Sequence, residues 1–230
     1  MLNMHSFNAK ALSYATNSDV QLELAKILCK NIESDLTNKT LLDLGAGSGN
    51  VYKVLKDKNF KNFIALDSAS NLLALHPKAP NITFIHKSFD EFNYSSLDKD
   101  TFICSNAAMQ WSANLDSLLF KLSKSKCELA LSLFTSETFS KLHAHLNTTS
   151  PLRSKDEVTT LIKKHFGTFK ILKSFSKRLQ FKTQKELLSH LQDLGLLGGA
   201  LDKTLSYKQA KRLLALPFLD LNYEALIFIR

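Results

Sequence analysis

The decapeptide Leu41-Leu42-Asp43-Leu44-Gly45-Ala46-Gly47-Ser48-Gly49-Asn50 decides how this chain folds. Its first half is a short apolar run suited to a buried strand, and its second half carries three glycines at alternate positions. Glycine reaches backbone conformations that a Cβ penalises and lets a ligand approach the main chain closely. The residues that follow, to about Lys58, are compatible with a helix. A strand that turns through glycines into a helix opens a nucleotide-binding α/β unit. The dinucleotide fingerprint G-x-G-x-x-G would need glycine at position 50, where this chain has Asn50. Asp43 stands before the glycines instead. A carboxylate there suits a ligand bearing an amino-acid ammonium and repels a pyrophosphate.

Working outward, Phe63-Ile64-Ala65-Leu66-Asp67 reads as a second strand ending in an acid. An acid at that place accepts hydrogen bonds from ribose hydroxyls, so Asp67 supports an adenosine-type ligand without choosing between cofactor classes. Ser68 and Ser70 are alternative N-caps for the helix that runs towards His76 and is closed by Pro77. Upstream, Asp19 to Ser34 carries Val20, Leu24, Ile27 and Leu28 at helical spacing. Downstream, strands are expected at Ile82–Ile85, Thr101–Cys104 and Glu128–Phe134, with a helix over about Leu115–Ser123. Alternating strands and helices predict a doubly wound, mostly parallel sheet of the Rossmann-like type. Helix Lys155–Phe166 and two alternating runs, Phe169–Phe181 and Leu221–Ile229, predict closing strands with an antiparallel edge and seven strands in all. The stretch from Thr183 to Leu216, helical around a Gly195…Gly198-Gly199 loop, reads as an insertion that caps the strand ends.

The acid followed by G-x-G-x-G resembles the first motif of the class I methyltransferases. By that resemblance Asp43, Gly45, Ala46 and Gly47 line the methionine end of S-adenosylmethionine, and Asp67 with Ser68 holds the ribose. Leu72 then packs on the adenine. Where this family has an acid near the adenine amino group, the chain reads His86-Lys87-Ser88-Phe89-Asp90, so Ser88 and Phe89 are the expected neighbours there. Asn106, at the end of the fourth strand, completes the expected cofactor set. The product of such a site is S-adenosylhomocysteine, and the resemblance implies no metal.

Ser105-Asn106-Ala107-Ala108-Met109-Gln110-Trp111 resembles the S-N-x-A-x-Q-W segment of the malonyl-acyl-carrier-protein O-methyltransferases of biotin synthesis. Phe7, Tyr14 and Gln21 follow that family's N-terminal order, and Leu133-Phe134-Thr135-Ser136-Glu137-Thr138-Phe139 with Leu142 is similar to its F-T-T/S…L segment. Leu191 to Arg212 is similar to a further region, through Gly195, Ala200, Leu205, Ser206 and Gln209. The glycine turn usual before the fifth strand is replaced by Ser125-Lys126-Cys127, and the usual R-F pair by Pro151-Leu152-Arg153. The resemblance implies a substrate end bordered by Tyr14, Gln110 and Trp111. It implies methylation of the free carboxylate of malonyl-acyl-carrier protein or malonyl-CoA. It also implies one domain: a helical lid over 1–36, a cofactor core over 37–135, and a substrate cap with closing strands over 136–230. Other class I methyltransferases, acting on a small carboxylic acid or a quinone precursor, would share the cofactor residues.

The 230 residues carry a net charge of +9, and between Leu161 and Arg212 twelve Lys/Arg face three Asp/Glu. Such a field attracts an acidic partner or is a solvated face. The carrier protein implied by the resemblance is acidic, which makes Lys208, Lys211 and Arg212, sharing one helical face, the expected docking residues. RNA is disfavoured as a partner because the [DN]-P-P-[YF] loop of exocyclic-amine methylation is replaced by Asn106-Ala107-Ala108-Met109. Cys29, Cys104 and Cys127 have no C-x-x-C spacing, His143 and His145 point apart on a helix, and neither set suggests a metal. No apolar stretch approaches the roughly 20 residues of a membrane helix, so the expectation is a cytoplasmic protein with no membrane partner.

Overall fold

The computed structural model describes residues 10–194 and 205–230. Phe7, Gly195, Ala200 and the Gly198-Gly199 loop lie outside the described residues. The strands are β1 (Thr40–Leu44), β2 (Asn62–Asp67), β3 (Ile82–His86), β4 (Thr101–Asn106), β5 (Glu128–Phe134), β6 (Ile171–Gln180) and β7 (Asp220–Ile229). The helices are α1 (Ala11–Thr16), α2 (Asp19–Lys30), α3 (Asn50–Leu55), α4 (Ser70–Ala74), α5 (Leu115–Lys124), α6 (Ser140–Leu146), α7 (Lys155–His165), α8 (Gln184–Asp193) and α9 (Tyr207–Leu213). One seven-stranded sheet runs in the order β3-β2-β1-β4-β5-β7-β6. β1 to β5 are mutually parallel, and β7 is antiparallel to both of its neighbours.

The antiparallel strand is therefore one place in from the edge, whereas the alternation of the last two strands suggested an antiparallel edge. Alternation reports that a residue run is a strand with two different faces, and carries no information on which strand lies beside which. In β7, Leu221, Tyr223, Ala225, Ile227 and Ile229 enter one core and Leu226 and Phe228 the other. Both faces of the sheet are thus covered, as a mostly parallel sheet requires.

On one face α2 buries Val20, Leu24 and Leu28 beside Leu41, Phe63 and Phe102. On the other, α5 buries Leu115, Leu118, Leu119 and Leu122 against Leu42, Ile103 and Leu131, and α7 adds Val158 and Ile162. Asn114 caps α5 by accepting from Ser117 N at 3.0 Å, and Ser154 with Glu157 forms a reciprocal capping box on α7. Residue alternation along β1 sends Leu41 and Asp43 to the α2 face while Leu42 and Leu44 enter the other core. An acid is thereby carried into the interior, at the carboxyl end of the central strand. β1 is also where strand order reverses, between β2 and β4, which is the crevice where such sheets bind ligands.

Candidate active site

Beyond β1 the chain crosses back towards β2, with Gly45 N and Ala46 N both donating to Leu66 O at 2.8 and 3.0 Å. Gly45, Gly47 and Gly49 all have positive φ, at 73°, 52° and 85°. Their surroundings differ. A Cβ on Gly45 would lie 2.3 Å from Ala108 Cβ, and one on Gly49 would lie 2.8 Å from the His76 ring and Pro77. Gly45 and Gly49 thus let neighbouring segments touch. At Gly47 the nearest atom to such a Cβ is an Asp67 oxygen at 4.0 Å, so this position opens onto free space.

That space is a cleft of about 870 Å³, its mouth included, lined by the glycine loop, Asp43, Asp67, Ser68, Leu72, Phe89, Asn106, Tyr14 and Trp111 among others. Asp43 is 1% exposed, and neither carboxylate oxygen has a hydrogen-bond partner among the described residues. Burial pushes its pKa well above the ordinary carboxylate value, and the nearby Asp67 charge adds to the shift. Asp67 is held differently: Oδ2 accepts from Gly47 N and Oδ1 from Ala69 N, both at 2.8 Å. Burial raises its pKa, while these amides and the His86 charge work the other way. One carboxylate is therefore anchored by the main chain, and the other is buried with no hydrogen-bond partner among the described residues.

Leu72 joins Ala11 and Ala69 in a small cluster against Tyr14, which seats α1 over α4 at one side of the cleft. Ser88 is not among the cleft residues. Its hydroxyl accepts from Asp90 N at 3.2 Å and caps the short 3-10 turn Phe89–Glu91, so it is Phe89 that borders the cleft. Asn106 borders the cleft with its amide already engaged: Nδ2 donates to Gln21 O at 2.9 Å and Oδ1 accepts from Ser132 Oγ at 2.8 Å.

A second cavity of about 500 Å³ shares Tyr14, Gln21, Ala107 and Trp111 with the cleft and continues from it. It adds Gln110, Phe134, Thr138, Phe139, His143, the 150–152 turn, Leu194 and Tyr223. Tyr14, Gln110 and Trp111 are thus brought together around this cavity. Gln110, however, spends its amide on the main chain, donating to Ala107 O at 2.7 Å and accepting from Phe134 N at 3.4 Å. It fixes the loop after β4, where Ala107 has φ 52°. Desolvation raises the Tyr14 and Tyr223 hydroxyl pKa values, and the Asp67 charge adds to the shift at Tyr14 while Tyr14 adds to that at Tyr223. Tyr223 OH lies 2.6 Å from His190 Nε2 on α8, tying α8 to β7. Phe139, His143, Leu194 and Tyr223 were not foreseen as site residues. Phe139 and Leu194 fall within quoted segments and His143 next to one, but none of these segments singles out an inward side chain.

Lys208, Lys211 and Arg212 all fall on α9, with both lysines exposed and Arg212 half-buried. The cations of β6 are engaged instead: Lys177 with Glu23 at 2.9 Å, Arg178 with Asp220 at 2.8 Å, and Lys173 with Asn31 Oδ1 at 2.7 Å. Among the described residues no group of three or more His, Cys, Asp or Glu is placed to hold a metal ion. No helix among them is long and apolar enough to cross a membrane.

No family model matches the chain. In sequence it is 28% identical over 145 residues to a malonyl-[acyl-carrier protein] O-methyltransferase of Priestia megaterium, covering 60% of this chain and 53% of that protein. The protein of the same name from Calditerrivibrio nitroreducens is 26% identical over 127 residues, 54% and 50% of the two lengths. The chain thus aligns with about half the length of the curated relatives it matches. Among solved structures, the YcgJ protein of Bacillus subtilis superposes with a TM-score of 0.65 at 12% identity, over 90% of this chain and 98% of that one. A phosphoethanolamine N-methyltransferase of Haemonchus contortus, solved with phosphomonomethylethanolamine and S-adenosylhomocysteine, gives 0.53 at 16% identity, over 90% and 52%. The chain has the class I methyltransferase fold, and in sequence it is similar to the malonyl-[acyl-carrier protein] O-methyltransferases.

Proposed function

We propose that this protein binds S-adenosylmethionine in the cleft and directs its methyl group to the free carboxylate of a malonyl thioester, carried by acyl carrier protein or coenzyme A. The product would be the methyl ester that starts pimeloyl synthesis for biotin. The observation that carries the reading is the buried, partnerless carboxylate of Asp43 beside an open glycine loop. An α-ammonium is the complement such a carboxylate lacks. Asp67 keeps acceptor capacity for ribose hydroxyls beyond its two amide bonds. Ser68 lies next to it, and Leu72 and Phe89 supply apolar surface for a purine.

The bound cofactor supplies a sulfonium-borne methyl group. What remains for the protein is modest. A carboxylate is already ionised at neutral pH, so the transfer needs no general base. The residues of the second cavity have only to align one carboxylate oxygen and exclude water, the work suited to Tyr14, Trp111 and the apolar wall of Phe134 and Phe139. The partner surface is read from α9. Tyr207 is 86% and Leu214 68% exposed, seven residues apart on one side of the helix with Lys208 and Lys211 between them. Exposed apolar groups flanked by cations suit an acidic protein better than a free coenzyme.

The test is mass spectrometry of malonyl-carrier protein incubated with S-adenosylmethionine. The expected result is the mass gain of one methylene, lost on mild alkaline hydrolysis as an ester requires. A gain that survives alkali, or no gain on either malonyl thioester, overturns the reading.

A further inference from the structure

A dicarboxylic acceptor brings a negative charge into the second cavity, and removing a carboxylate from water is costly unless something answers that charge. Among the described residues neither the cleft nor the second cavity is bordered by a lysine or an arginine. The basic side chain that does border the second cavity is His143, on α6. It is 7% exposed. Its Nδ1 lies 3.0 Å from Thr148 Oγ1, which fixes the ring, and Nε2 has no protein partner among the described residues. Burial alone holds its pKa below the usual histidine range.

The groups around it explain why nothing opposes that shift. On its own helix, Lys141 is turned to Asp220 and His145 to Arg212 O. The turn from 148 to 152 that borders the cavity brings no charge, and Arg153 follows it outside the lining. From β7 and α1 come Tyr223 and Tyr14, both pushed towards the neutral phenol by burial. From the 134–139 segment come Phe134, Thr138 and Phe139, with the Thr138 hydroxyl donating to Glu224 O at 2.9 Å. No carboxylate among the described residues faces the ring.

We propose that His143 is the residue that reads the acceptor's charge, holding a carboxylate at Nε2 as imidazolium and releasing the neutral ester. This rests on the reading of the acceptor as a malonyl thioester. Binding takes one proton from water onto the imidazole, because the carboxylate supplies the counter-charge that the empty cavity lacks. One carboxylate oxygen is occupied by that bond and the other remains for the incoming methyl group. When the acceptor has become an ester, the imidazolium has lost its counter-charge and its proton returns to water. Substrate and product differ by one methyl group in size and by a full charge in electrostatics. The histidine discriminates on the larger difference.

The experiment measures malonyl-CoA binding by calorimetry to the full chain loaded with S-adenosylhomocysteine, in buffers of different ionisation enthalpy, alongside KM and kcat from pH 6 to 9. In the wild type, binding takes up a proton and KM rises with pH while kcat changes little. His143→Gln should raise KM about 10- to 100-fold at the acid end, the range of a lost charge-assisted hydrogen bond, and abolish both the proton uptake and the pH slope. S-adenosylhomocysteine affinity, unchanged, verifies folding. Should His143→Gln fail that check, Thr148→Val keeps the ring and should displace the KM–pH profile through loss of its Nδ1 partner. Binding without proton uptake, or an unaltered pH slope in His143→Gln, overturns the proposal. Proton-coupled binding without turnover of either thioester would instead strike the proposed reaction and leave the charge reading standing. No binding of malonyl-CoA at all overturns both.

Discussion

Replacing Asp43 by Asn should make the ligand-free protein more stable and the cofactor complex weaker, two effects of opposite sign from one atom. The carboxylate is 1% exposed with both oxygens unpartnered, and its pKa is raised first by burial and second by Asp67. A carboxyl whose folded pKa exceeds its unfolded value binds protons more readily when folded. Its relative stability is therefore greatest below the unfolded pKa and is lost as pH rises through the folded one. The wild type should accordingly fall behind Asp43→Asn in thermal midpoint as pH climbs from the ordinary carboxylate range to 8, and the two should converge in acid. The amide keeps the volume and removes the ionisation, so packing contributes little to the comparison. Binding runs the other way. Loss of a charge-assisted bond to an ammonium costs about 1.5–3 kcal/mol, a weakening of roughly 10- to 150-fold in Kd. Scanning calorimetry across pH, with and without S-adenosylhomocysteine, measures both. An Asp43→Asn protein less stable than wild type at pH 8 without ligand would show that the carboxylate has a structural partner, and the reasoning would be refuted.

Gly45→Ala drives its Cβ into Ala108 and should lose about 1–3 kcal/mol by overpacking alone, whereas Gly47→Ala meets open space and bears only left-handed strain of roughly 1–2 kcal/mol. Thermal midpoints should rank wild type, Gly47→Ala, Gly45→Ala, and an inverted order would remove the distinction drawn between these glycines. Gln110→Ala strips partners from Ala107 O and Phe134 N and should lower stability by about 1–3 kcal/mol together with turnover. A loss of turnover with an unchanged unfolding midpoint would instead mean direct contact with substrate. Reversing Lys211 and Arg212 to Glu should raise KM for malonyl-carrier protein, flatten its salt dependence and leave malonyl-CoA kinetics alone, because rim charges act on encounter. Equal loss on both substrates would return α9 to a role in folding.

What could be read from sequence was what is local. The turn after β1 is decided within ten residues, so Asp43, the three glycines and the acid closing β2 were legible at once. Of the expected pair Ser88 and Phe89, only Phe89 borders the cleft, since the Ser88 hydroxyl caps a 3-10 turn. No periodicity announces a three-residue turn. The second cavity was mostly illegible because its walls converge from residues 14, 110, 111, 139, 143, 194 and 223, and only Tyr14, Gln110 and Trp111 were expected at the substrate end. Charge counting overstated the basic segment for a similar reason. Glu23, Asp116, Glu128 and Asp220, distant in sequence, pair with Lys177, Lys164, Lys170 and Arg178. The α9 cations are engaged by no ion pair among the described residues.

The position of β7 has a consequence for the order of events as the chain is made. Residues 171–180 leave the ribosome before residues 220–229, yet β6 touches the sheet solely through β7. For the time it takes to synthesise about forty intervening residues, β6 has no neighbouring strand and β5 presents an open flank. The wedge that joins them, β7, satisfies ten positions of β6 and five of β5 in a single insertion. Nascent chains of this protein should therefore be most adhesive in the interval before that insertion, when two unpaired strand edges coexist. A stop codon placed just ahead of Asp220 would freeze that interval. Such a chain retains the parallel half of the sheet with its glycine loop, and should be recovered in aggregates, not as a smaller soluble core.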